Sequence, residues 1–144
     1  MAIANAEIGQ VEVPGLTNHN PRIGEYLSTC SSIQSDETPW CSAFVNWVMM
    51  QLGYSRSGLL NARSWLMWGL PLLAPRYGAV AVLKRPNDDG TPSTTKGHVA
   101  FFVRSEGDRI YLLGGNQRNS VCIQPYSVNR LLGFRWPPES SSLS

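Results

Sequence analysis

The chain has 144 residues, 42% of them hydrophobic and 15% charged, which is enough apolar matter for one globular domain with a real core. Twelve Lys and Arg against ten Asp and Glu give a formal net charge of +2, and the basic residues are scattered rather than grouped into a stripe. That argues against nucleic-acid binding and leaves only modest steering toward an anionic polymer.

No apolar run approaches the roughly eighteen residues needed to cross a bilayer, so no membrane span is expected. The opening Met-Ala-Ile-Ala-Asn-Ala-Glu-Ile-Gly lacks a basic segment followed by a long apolar core, so no Sec signal is expected either. Cys30, Cys41 and Cys122 have no metal-ligand spacing among them, and the chain is expected to use no metal and no cofactor. Cys30 and Cys122 read as ordinary thiols, with a bridge between them as the alternative in an oxidising compartment.

Residues 1–18 lack a clear period and read as an extended arm ending in the turn Val11-Glu-Val-Pro-Gly15. His19 sits in a polar loop and reads as a surface residue. Asn20-Pro21 is a helix start, and Ile23, Tyr26, Leu27 and Cys30 follow at helical spacing. After the polar stretch 31–38 comes Thr38-Pro-Trp-Cys-Ser-Ala-Phe-Val-Asn-Trp-Val-Met-Met-Gln-Leu-Gly53. Thr38 is placed to cap a helix, Pro39 suits its first position, and Gly53 supplies the left-handed stop. Asp36 and Glu37 stand where carboxylates favour the helix dipole. Cys41 then falls in the first turn, where unpaired N–H groups and the dipole are expected to lower its pKa. It shares a face with Phe44, Val45, Val48 and Leu52.

A Ser/Gly-rich connection leads to a short helix over 61–69 with Trp65 and Trp68, which Pro71 and Pro75 prevent from continuing. From Gly78 the period changes to two. Five strands are expected, at 78–84, 97–104, 108–114, 120–124 and 132–136, with tight turns at Ser105-Glu-Gly-Asp108 and Gln117-Arg-Asn119. The loop 86–96 carries Asn87-Asp-Asp-Gly90 but no Glu at the spacing a calcium loop needs, and reads as a solvated hairpin loop. The tail 137–144 is Pro/Ser-rich and reads as disordered. The expected fold is a single α+β domain, 1–144, with N-terminal helices packed on a C-terminal antiparallel sheet of about five strands.

His98 opens the most strand-like segment, and the end of the next strand returns beside it, so Asn116 or Gln117 can reach the imidazole. A thiol at a helix start, a histidine on an adjoining strand and an amide on the next make a nucleophile, a general base and an orienter. Cys41, His98 and Asn116 are the candidate catalytic residues. Trp40, beside the cysteine, and Gln117 are the candidate substrate contacts.

Pro39-Trp-Cys41-Ser-Ala-Phe-Val, Gly78-Ala-Val-Ala-Val, Gly97-His98-Val-Ala-Phe and Leu112-Leu-Gly-Gly-Asn116-Gln together resemble the CHAP and NlpC/P60 superfamily of papain-like cysteine amidases and peptidases, most of all its phage-lysin and bacterial cell-wall hydrolase members. The resemblance runs from about Asn20 to Pro137. It implies a papain-like fold, Cys41 as nucleophile, His98 as base, Asn116 as third member and Gln34 as a candidate at the oxyanion hole. Many CHAP members carry a glutamate near the third block, where this chain has Gly114 and Gly115.

The function it implies is hydrolysis of a peptidoglycan stem-peptide amide, as a phage lysin or a secreted antibacterial effector acting in the periplasm or on the wall after holin- or secretion-system-dependent delivery. Such a protein is expected as a monomer, with an immunity protein as partner if it is an effector. The rival is a non-catalytic wall-binding or phage structural module that kept the fold. Muramoyl-alanine amidase and γ-glutamyl endopeptidase chemistry need the same residues, so the bond cut stays open.

Overall fold

The computed structural model describes residues 1–12, 20–30, 40–87 and 89–138. Three α-helices come first: α1 (Ala2–Ala6), α2 (Pro21–Leu27) and α3 (Cys41–Leu52). A 3-10 turn, Ala62–Met67, leads into the strands β1 (Leu70–Leu72), β2 (Val80–Lys84), β3 (Gly97–Glu106), β4 (Arg109–Gln117), β5 (Ser120–Ser127) and β6 (Leu131–Trp136). They form one antiparallel sheet in the order β1-β6-β2-β3-β4-β5. Helices first and sheet second make a papain-like α+β fold, as the change of period at Gly78 predicts.

Alternation along β2 and β3 builds two cores. Val80, Val82, Val99, Phe101 and Leu113 face the helices, whereas Ala81, Leu83, Ala100, Phe102 and Leu112 face the other way with Phe134. The helix α3 is buried on every side from Cys41 to Met49, not on one stripe alone, because α1 and α2 cover what the sheet does not. Leu52, expected on the buried face, is 45% exposed. Tyr26 sits at the centre of this layer, its ring against Trp40, Phe44 and Trp47 and its hydroxyl donating to Glu7 at 2.6 Å.

Three expectations are corrected. The segment expected as an extended arm begins with a helix, since Ala-Ile-Ala-Asn-Ala has high helix propensity and buries Ala4. Among the described residues of that segment, 10–12 run past the helix and its turn and, with Gly9, hydrogen-bond along the edge of β5. The sheet gains a sixth strand, Leu70-Pro-Leu72, whose proline is tolerated because β1 lies at the sheet edge. β5 runs on through Pro125 to Ser127 for the same reason at the opposite edge. His19, Gln34, Asp36, Glu37, Thr38, Pro39 and residues 139–144 of the tail lie outside the described residues.

Gly115 marks where α3 meets the sheet most closely. A Cβ there would stand 2.7 Å from the Trp40 ring and 2.8 Å from Phe44 Cβ. Gly115→Ala is therefore expected to overpack this contact and cost about 1–3 kcal/mol. Thermal denaturation checks this, and an unchanged melting temperature would mean that the helix–sheet spacing is not set there.

Candidate active site

Cys41 is the first residue of α3, and its N-cap is Trp40, with φ −116° and no side-chain cap bond. The helix thus begins two residues later than a Thr38 cap would set it. Its first turn is held from outside. Ser42 Oγ donates to the Leu59 carbonyl at 2.6 Å and accepts from Trp65 Nε1 at 2.8 Å, while Asn46 Oδ1 accepts from the Gly58 N–H at 2.9 Å. These bonds fix the helix start against the 57–59 segment and so fix the sulfur.

Cys41 is buried, and burial pushes its thiol above the usual cysteine range. The backbone N–H of Val99 on β3, those of Ser42 and Cys41 at the helix start, and the charge of Arg85 act the other way. Desolvation wins, because a thiolate loses more hydration here than those amides and Arg85 restore. The expected low pKa is therefore corrected: the dipole is present, but burial outweighs it.

His98 is 8% exposed at the start of β3, and Arg63 pins the approach to it by donating to the carbonyls of Lys96 at 2.8 Å and Ser93 at 2.7 Å. Continuing the β3–β4 pairing of Phe102 with Leu112 and Phe101 with Leu113 would set Asn116 opposite His98. The β3–β4 ladder ends at Phe101–Leu113, and beyond it β4 carries a bulge against β5 between Gly114 and Gln117, with Asn116 at φ 56°. The extra residue brings Gln117 round to the His98 face, where a side chain on Gly114 would collide with the Gln117 amide at 2.8 Å. Gln117 Oε1 then lies 2.9 Å from His98 Nε2.

The Gln117 amide cannot be turned round. Its Nε2 donates to the carbonyls of Cys122 at 2.7 Å and Leu112 at 3.2 Å, both acceptors only, so Oε1 must be the atom facing the imidazole. His98 Nε2 consequently carries the hydrogen, and Nδ1 holds the free lone pair. The hydroxyl of Tyr126, 3.2 Å from Nε2, flanks the same edge of the ring. Tyr126 falls outside the strand expected over 120–124, although Gln124 and Tyr126 alternate onto one face once β5 continues.

A cavity of about 340 Å³ opens at this point, lined by Cys41, His98, Asn116, Gln117 and Tyr126 among others. Cys41 and His98 thus reach one cleft from α3 and β3. Asn116 lines it half-buried, whereas the imidazole's partner, of the two amides that the sequence offered, is Gln117. Trp40 does not line it. Its ring is wholly buried against Tyr26 and its Nε1 donates to Glu12, which corrects its assignment as a substrate contact. Cys122 Sγ donates to the Gln117 carbonyl at 3.3 Å, and Cys30 Sγ accepts from Asn46 Nδ2 at 3.5 Å.

The chain matches the CHAP domain over residues 33–116, more than half its length, and belongs to that family of peptidoglycan hydrolases and amidases. No curated protein matches it. The matched span takes in Cys41, His98 and Asn116 and stops one residue short of Gln117.

Burial, reinforced by Arg130 and Arg85, holds the His98 pKa down from 6.5 to about 4, against the opposing pull of the Gln117 bond. The folded imidazole stays neutral where an unfolded one protonates. Between about pH 6.5 and 4 the unfolded chain binds the extra proton, so stability falls as pH drops through that window. Urea denaturation across it is expected to show a steeper loss for the wild type than for His98→Gln, and parallel curves would contradict the buried neutral histidine.

Proposed function

We propose that this protein is a peptidoglycan hydrolase that cuts a stem-peptide amide by acyl transfer, with Cys41 as nucleophile, His98 as general base and Gln117 as orienter. The observation that carries the reading is the fixed tautomer. Gln117 leaves His98 with an acceptor at Nδ1, on a ring that shares one cleft with a helix-start thiol. Family membership supplies the substrate class.

The resting pair is a neutral thiol and a neutral imidazole, since burial disfavours charge on either. As the sulfur attacks the amide carbonyl, its proton passes to His98 Nδ1, and the Nε2–H bond to Gln117 Oε1 steadies the imidazolium that forms. The first-turn N–H groups of α3 have no intrahelical partner and are donors for the oxyanion. Gln34, the side chain first considered for that role, lies outside the described residues. Collapse of the tetrahedral adduct breaks the C–N bond, and the amine leaves with the proton from Nδ1. The low pKa makes His98⁺ a strong acid for that transfer. Water then attacks the thioester, gives a proton to Nδ1, and releases the carboxylic acid and the thiol.

Action on the wall as a phage lysin or secreted effector, a monomeric state and, for an effector, an immunity protein that plugs the cleft belong to the same proposal. Among the described residues no helix is long and apolar enough to cross a membrane.

Cys41→Ala and His98→Ala are each expected to abolish release of fragments from purified sacculi while leaving the melting curve nearly unchanged. Turnover by either variant at the wild-type rate would remove the pair from the reaction. Gln117→Ala is expected to lower kcat/KM by at least about tenfold, and Asn116→Ala to leave it within a few-fold, because only Gln117 sets the tautomer. The reverse order would mean that the bulge does not persist in solution.

A further inference from the structure

Besides the reacting residues, the cleft is lined by Arg85, Arg118 and Arg130 and by no carboxylate among the described residues. Arg118 stands on the β4–β5 turn, whose two residues Arg118 and Asn119 have φ 51° and 59°, the left-handed pair a two-residue hairpin requires. Arg85 follows β2, and Arg130 precedes β6, beside it in the sheet. Arg130 Nε donates to the Lys84 carbonyl at 3.2 Å, and its guanidinium lies over the Tyr126 ring at 5.3 Å.

These cations are not neutralised within the described fold. Arg22 and Arg104, in contrast, are each paired with glutamates, at 2.7–3.1 Å and 3.6 Å. Arg85 and Arg130 also line a second cavity of about 340 Å³, with Lys84, Pro86 and Pro92, so basic groups continue away from Cys41 along one lip. Crowding like charge beside a buried imidazole has a local cost, since Arg130 and Arg85 both disfavour its protonation. An anion between them would offset that cost and favour proton transfer to Nδ1.

We propose that the substrate carries a carboxylate next to its scissile amide, and that Arg85 and Arg130, with Arg118 lining the same cleft, bind it. This rests on the hydrolase reading of the same cleft and deepens it to an acidic peptide. Guanidinium suits the task, because its planar fork matches a carboxylate in two parallel hydrogen bonds.

The test uses two synthetic stem tetrapeptides that differ only in a free carboxylate or a carboxamide beside the susceptible bond. Binding to full-length Cys41→Ala is measured by calorimetry at low salt, and turnover with the wild type. The acid is expected to bind about ten- to a hundredfold tighter than the amide. That ratio is expected to fall toward one in Arg85→Gln/Arg130→Gln and to persist in Arg109→Gln, which lies outside the cleft. Equal binding of the two peptides, or no binding of either at millimolar concentration, overturns the proposal, and the comparison on the unaltered cleft does not depend on the arginine variants folding. Selective binding of the acid without turnover of either peptide or of sacculi would uphold the carboxylate site and remove the hydrolase reading instead.

Discussion

The carboxamide of Gln117 has three polar neighbours, and two of them leave it no choice. The carbonyls of Leu112 and Cys122 take both of its hydrogens, so its oxygen alone is left for His98. A buried imidazole without such a partner would sample both tautomers, and only one leaves Nδ1 free to accept a thiol proton. The amide is locked by the backbone of β4 and β5, which the Gly114–Gln117 bulge brings to the right place. The tautomer on which the proposed reaction relies thus depends on one bulge in one strand.

Around that bond the fold works by exclusion of water. The first turn of α3 is tied to the 57–59 segment, the α3–sheet contact closes over Gly115, and the start of β3 is clamped by Arg63. The result is a thiol and an imidazole too dry to hold charge separately, set beside arginines that make charging the imidazole harder still. In the proposed reaction such a pair rests neutral and gains its ions only when a substrate provides somewhere for the negative charge to go. On that proposal reactivity is coupled to occupancy of the cleft, which would spare an isolated thiolate from oxidation.

The sequence carries the architecture in its periods: helical spacing up to Trp68, alternation from Gly78, and Gly53 as a stop that the structure uses with φ 77°. Cys41 and His98 were legible because each stands at the start of an element, where position alone says what a side chain can reach. The third residue was not. Strand parity pairs His98 with Asn116, and parity is right until a bulge changes it; Gly114-Gly115-Asn116 contains residues that allow a bulge but do not require one. Trp40 misled in the opposite way, since adjacency to a nucleophile along the chain says nothing about which side of the helix start a ring falls. The thiol pKa was misread because helix-start amides are visible in sequence and the depth of burial is not. Tyr126 and the three cleft arginines come from turns and strand ends scattered from Arg85 to Arg130, and only the sheet order brings them together.

The most direct test of this account is the protonation state of His98, read by nitrogen-detected NMR of the imidazole in the full-length protein at neutral pH. The account predicts a neutral ring with hydrogen on Nε2 and a bare Nδ1, losing its preference for that tautomer in Gln117→Ala. A ring protonated on both nitrogens, or one carrying its single hydrogen on Nδ1, would contradict it.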